Sequence, residues 1–132
     1  MMNRRTQALD RMKSRYSNML SHDCSTLFEG WGIGSEGYGG GTINHAWSGG
    51  PLTILSQQIC GIVQTSPGLR TVRIEPRMGY LQRAAATIDT PLGKLKVKID
   101  NRKGTPNVKL KIPKGMSVEV VLPDGSCKKY RR

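Results

Sequence analysis

Between residues 6 and 20 the apolar side chains Ala8, Leu9, Met12, Tyr16, Met19 and Leu20 recur every three or four positions. That period places them along one side of an α-helix. Arg4, Arg5, Arg11, Lys13 and Arg15 fall largely on other faces, so the segment reads as an amphipathic helix. A second helix is predicted to begin at Pro51, whose missing N–H is harmless in a first turn. Its stripe is Leu52, Leu55, Ile59, Ile62 and Val63, and the "SPG" of residues 66–68 ends it. Past that point the period changes to two. Val72 and Ile74, then Leu95, Val97 and Ile99, then Val108, Leu110 and Ile112, then Val118, Val120 and Leu122 alternate with polar residues, and "PRMG", "TPLG", "RKGTP", "PKG" and "PDG" supply turns. The pattern predicts an antiparallel β-sheet module. The expected class is therefore α+β, with a helical segment over residues 1–66 and a β module over residues 67–132.

Charge changes the picture less than its size suggests. Twenty-one Lys and Arg against nine Asp and Glu give a formal charge of +12, which raises the question of a polyanionic partner. Strand alternation, however, assigns Lys94, Lys96, Lys98, Lys109 and Lys111 to a solvated face, where lysines also discourage strand edges from pairing. At 5% aromatic residues there are few platforms for stacking bases, so a basic nucleic-acid-binding protein is the least favoured reading and no nucleic acid partner is expected. No apolar run approaches the roughly 18 to 20 residues a membrane span requires, and no membrane partner is expected either. The basic N-terminus has no apolar run behind it, so no export signal is visible and the compartment is cytoplasmic only by default. Cys24, Cys60 and Cys127 are odd in number and lack CxxC spacing, which points to free thiols with neither metal nor cofactor.

The stretch between the two predicted helices, "STLFEGWGIGSEGYGGGTINHAWSGG", holds nine of the sixteen glycines. Glu29 stands there between Leu27 and Phe28 on one side and Gly30 and Trp31 on the other. Apolar neighbours raise a carboxyl pKa and suit it to acid or base work; an exposed loop glutamate is the alternative. His45 lies in "INHAWSGG" ahead of the second helix, either in a site or satisfied by backbone at a helix start. Trp31 and Trp47 are sugar-stacking faces or core. The GxGxxG spacing of residues 32–37 has no βαβ unit around it and carries little weight as a phosphate cradle.

The order of motifs is more specific than any one of them. "ALDRMKSRYSNML", "STLFEGW", a Gly-rich loop, "INHAWSGGPLTILSQQICGI", "PGLRTVRIEPRMGYLQRAAATIDTPLGKLKVKI" and "VKLKIPKGMSVEVVLPDG" together resemble the C-terminal end of bacterial α-L-rhamnosidases, a glycoside hydrolase family, over nearly the whole chain. The resemblance implies that residues 1–66 are the last helices of an (α/α)6 barrel and residues 67–132 a C-terminal β-sandwich. It implies that Glu29 is the general base of an inverting hydrolysis, that His45 belongs to the rhamnose subsite and that Trp31 lines the pocket. Phe28 stands where the family often has tryptophan. The family's general acid comes from an earlier barrel helix, so the expectation is a truncated glycosidase, inactive alone. A non-catalytic carbohydrate-binding or accessory module is the alternative. The implied partner is a rhamnoside, and because two helices cannot close a toroid, their exposed apolar face implies self-association.

Overall fold

The computed structural model describes residues 4–33 and 41–132, and the chain divides into two compact units, Met1–Thr53 and Ile54–Arg132. Most of the GxGxxG-spaced stretch lies outside the described residues.

In the first unit helix α1 spans Arg4–Leu20, as predicted, but Leu20, assigned to its apolar stripe, is 85% exposed. Leu9 and Met19 are buried while Arg4, Arg11, Lys13 and Arg15 are exposed. The small core is Met19, Phe28 and Ile33, with Tyr16, Cys24 and Leu27 packed around it. Phe28 is 1% exposed, and sealing such a ring from water contributes about 2 to 3 kcal/mol. The Asn18 amide donates to the carbonyls of Trp31 (3.1 Å) and Ile33 (3.2 Å), tying the glycine-rich segment to the last turn of α1.

The second helix differs from expectation. Helix α2 spans Gly50–Ile54 and is continued by a single π-helical turn, Leu55–Ile59, closed by Cys60 N–H donating to Leu55 O (2.9 Å). Ile62 and Val63, placed by spacing on the helix, instead form strand β1 (Ile62–Gln64). Gly61, at φ +70°, turns the chain out of the helix into the strand, a conformation that costs glycine little. Among the described residues no helix is long and apolar enough to cross a membrane.

The second unit holds two sheets. β1 pairs with β2 (Thr71–Ile74), β2 with β6 (Ser117–Val121), and β6 with β7 (Cys127–Arg131). The other sheet is β3 (Arg83–Thr90), β4 (Gly93–Asp100) and β5 (Asn107–Lys111), in that order. All pairs are antiparallel except one. β2 and β6 run parallel, with Val72 opposite Val118 and Ile74 opposite Val120, which corrects the expectation of a purely antiparallel module. The reason is topological: the chain leaves β2, builds the three-stranded sheet, and returns alongside β2, as a parallel pair requires a long crossover. Alternation places Val72, Ile74, Val118 and Val120 of one sheet and Leu95, Val97 and Ile99 of the other in the interior, none more than 5% exposed. Lys94, Lys96 and Lys98 point outward, but from the central strand of their sheet and not from an edge.

Candidate functional site

The residues around Glu29 are placed by two segments running side by side in opposite directions. Glu29 N–H donates to Thr42 O (2.9 Å) and His45 N–H to Leu27 O (2.8 Å). The hydroxyl of Ser48 donates to Phe28 O (2.5 Å) and that of Tyr16 to Ser48 O (3.1 Å), and the hydroxyl of Thr26 donates to Ile43 O. These bonds press the short 3-10 turn Ala46–Gly49 against residues 27–29, whose register is anchored by the buried Phe28.

At this junction the Glu29 carboxylate accepts two bonds at Oε2, from Thr42 N–H (3.0 Å) and from the Thr42 hydroxyl (3.2 Å). The same hydroxyl lies 3.1 Å from Nδ1 of His45, and Nδ1 is itself 3.7 Å from Glu29 Oε2. A threonine hydroxyl has one proton. Given to the carboxylate, it leaves the oxygen to accept from His45 Nδ1–H, so the three residues form a consistent chain. Trp47 packs against His45 with ring centroids 4.7 Å apart and planes tilted by 42°, and is 71% exposed.

Glu29 and His45, sixteen positions apart in sequence, are thus brought together. Trp31 is held against α1, where the guanidinium groups of Arg15 and Arg11 lie 5.0 and 5.5 Å from its ring, cation–π distances. Thr42 and Trp47 complete the cluster. Sequence reasoning gave Thr42 no role, and the i to i+3 spacing of Thr42 and His45 in "TINH" was the signal for it.

The electrostatics also differ from the apolar-neighbour reading, which raised the Glu29 pKa. The carboxyl is held below the ordinary glutamate value, chiefly by the Thr42 N–H, which outweighs its partial desolvation, with the Thr42 hydroxyl and the nearby His45 adding to the effect. The side chain remains 36% exposed, so water offsets what burial there is. Glu29 should accordingly titrate below the usual carboxylate range, and Thr42→Val, which deletes the hydroxyl but not the N–H, should raise it part of the way back. Carbon-detected NMR titration of the Glu29 carboxyl checks both; a wild-type midpoint at or above the ordinary value would overturn the assignment. Because the folded pKa is the lower one, the stability linked to this group is fully present above the unfolded value and is lost as pH falls through the folded value.

Residues 61–131 match the family of the bacterial alpha-L-rhamnosidase C-terminal domain. The chain belongs to that family. Comparison with curated protein sequences gives no match. Among solved structures, the alpha-L-rhamnosidase of Dictyoglumus thermophilum is similar with a TM-score of 0.64 at 23% identity, over 80% of this chain and 12% of that one. The Streptomyces avermitilis alpha-L-rhamnosidase, solved in complex with L-rhamnose, is similar with a TM-score of 0.57 at 27% identity, over 73% of this chain and 10% of that one. The rhamnosidase family chain described here thus spans about a tenth of the length of those enzymes, and the structural likeness at these identities is one of fold.

Proposed function

We propose that this chain carries the water-activating side of an α-L-rhamnosidase site, with its β-rich part serving as the accessory domain of the same enzyme. In this reading the helices up to Ile59 contribute to a helical barrel, and the strands from β1 onward, with the boundary moved back from residue 66, form a C-terminal β-sandwich. The observation that carries the reading is geometric: Oε2 of Glu29 is fixed by the Thr42 N–H and hydroxyl at 3.0 and 3.2 Å and lies 3.7 Å from Nδ1 of His45. An ionised carboxylate held by two donors on one oxygen keeps its other oxygen for the proton of an attacking water. Nε2 of His45 suits a sugar hydroxyl, and the exposed rings of Trp47 and Trp31 suit the apolar face of a 6-deoxy sugar. An inverting displacement requires a second carboxyl as acid, about 6.5 to 9.5 Å from the base; another part of the enzyme would supply it, and this chain alone would be inactive. The test is Glu29→Gln in a protein that joins this chain to the remainder of a rhamnosidase barrel. Unchanged turnover of an aryl α-L-rhamnoside would sink the assignment.

A second reading is favoured by one fact: the family match lies wholly in residues 61–131. The chain would then be a non-catalytic module, and Glu29→Gln would be silent in the joined protein. Both readings leave apolar side chains exposed on the first unit, where Trp47 and Leu52 are 71% and 70% exposed. Side chains of this size in one stretch favour association in water. The isolated chain is expected to self-associate and to enhance the fluorescence of a dye for apolar surface. A clean monomer by sedimentation at high concentration, without dye binding, would count against it.

A further inference from the structure

The outward face of the sheet β3–β4–β5 carries Lys94, Lys96, Lys98, Lys109, Lys111 and Arg83, against the carboxylates of Asp89 and Asp100. Both carboxylates are engaged, Asp89 with Lys94 (2.8 Å) and Asp100 with Arg102 (2.5 Å). Among the described residues Lys96, Lys98, Lys109 and Lys111 make no ion pair. Register sets them opposite one another, Lys96 against Lys111 and Lys98 against Lys109. Like charges directly opposed across a strand pair are destabilising. Protection of a strand edge does not account for Lys96 and Lys98, which lie on the central strand β4, although Lys109 and Lys111 lie on the edge strand β5. Concavities lined by these lysines lie at both ends of the strands, one with Arg83, Lys98 and Lys109, the other with Lys94, Lys96 and Lys111.

We propose that this face binds a linear acidic polysaccharide, a polyuronate chain running along β4 and β5. Outward lysines on one strand repeat at roughly 6.8 Å and neighbouring strands lie about 4.8 Å apart, so the four unpaired ammonium groups form a flat, closely spaced lattice for fixed carboxylates. The outward positions flanking them are Ala85 and Thr87 on β3 and Asn107 on β5: a hydroxyl and an amide suited to sugar hydroxyls, and no aromatic ring on which a base would stack. The choice of a carbohydrate as the polyanion rests on the rhamnosidase reading; the preference for an anion rests on the lysines alone.

Polygalacturonate is the probe, titrated against the full 132-residue chain by calorimetry at about 50 mM and about 200 mM salt, a range over which polyanion contacts weaken steeply. Binding at low salt is expected, with loss at high salt and no binding of the fully methyl-esterified polymer. Combining Lys96→Gln, Lys98→Gln, Lys109→Gln and Lys111→Gln should weaken it by about tenfold or more at low salt, since the released counterions are lost with the contacts. A control with the same net charge, Arg4→Gln, Arg70→Gln, Lys128→Gln and Arg131→Gln, should lose much less, both variants being checked for an unchanged circular dichroism spectrum. No binding of polygalacturonate, equal loss in both variants, or tighter binding of duplex DNA would each overturn the proposal. None of these outcomes touches the Glu29 assignment, which is read from turnover in the joined protein.

Discussion

Replacing Glu29 by Gln in a protein that joins this chain to the rest of a rhamnosidase barrel is expected to lower kcat by about 10²- to 10⁴-fold, the contribution of one positioned general base, with KM for an aryl α-L-rhamnoside little changed. The amide is nearly isosteric with the carboxylate. Its carbonyl oxygen can still accept from Thr42 N–H and the Thr42 hydroxyl, which now hold Oε2 at 3.0 and 3.2 Å. The local ladder between residues 27–29 and 42–45 is made by backbone groups and does not depend on the charge. On the proposed assignment, what the substitution removes is the capacity to take a proton from water at the moment it attacks. An effect confined to kcat marks an interaction made in the transition state, whereas a rise in KM alone would mark a binding residue. The low pKa of Glu29 has a kinetic counterpart. The acid limb of kcat/KM should fall below the ordinary carboxylate range in the joined protein, and Thr42→Val should move it upward.

The parts of the fold legible in the sequence were those in which one period ran unopposed. Leu95, Val97 and Ile99 alternate with lysines, and a strand half-buried against an interior is the arrangement that satisfies both sets; β4 follows. Residues 83–90 read "RAAATIDT", and the small Ala84 and Ala86 at inward positions give the same alternation too little contrast to stand out as β3. β7 has an exposed side chain at every position and no apolar signal at all; it exists because β6 offers it a hydrogen-bonding edge. Ile62 and Val63 continue the helical spacing of Leu55 and Ile59, and two periods competed there. The decision fell to pairing with β2, a contact spanning more residues than any local pattern covers. The site divides in the same way. Glu29 and His45 were identifiable as chemistry-bearing types in a glycine-rich setting, but their meeting depends on Thr42 and on the return of the chain past residue 41. Trp31 and Trp47 were indistinguishable as residue types; only the packing of α1 sends the first to Arg11 and Arg15 and leaves the second on His45.

Gly61 makes the decision between helix and strand testable. Gly61→Ala is expected to destabilise the β unit by about 3 kcal/mol or more, well above the ~1 kcal/mol typical of a point substitution. Two effects act together. The backbone sits at φ +70°, where a side chain costs about 1 to 2 kcal/mol. A Cβ there would also lie 1.8 Å from Glu75 O, 2.3 Å from its carbonyl carbon and 2.9 Å from its nitrogen. These are backbone atoms and cannot rotate away. They are held close because Glu75 N–H donates to Gly61 O (3.0 Å) and Arg77 N–H to Ile59 O (2.9 Å), so relieving the clash means prying β1 from β2 and giving up those bonds. Gly68 supplies the control. Its φ of +67° is nearly the same, but nothing lies within 4 Å of its added Cβ, so Gly68→Ala should show the conformational cost alone. Urea denaturation followed by circular dichroism of the strand signal compares the two. With a midpoint shift for Gly61→Ala no larger than that for Gly68→Ala, the close approach of residues 61 and 75 could not be what fixes the end of the helix and the start of β1.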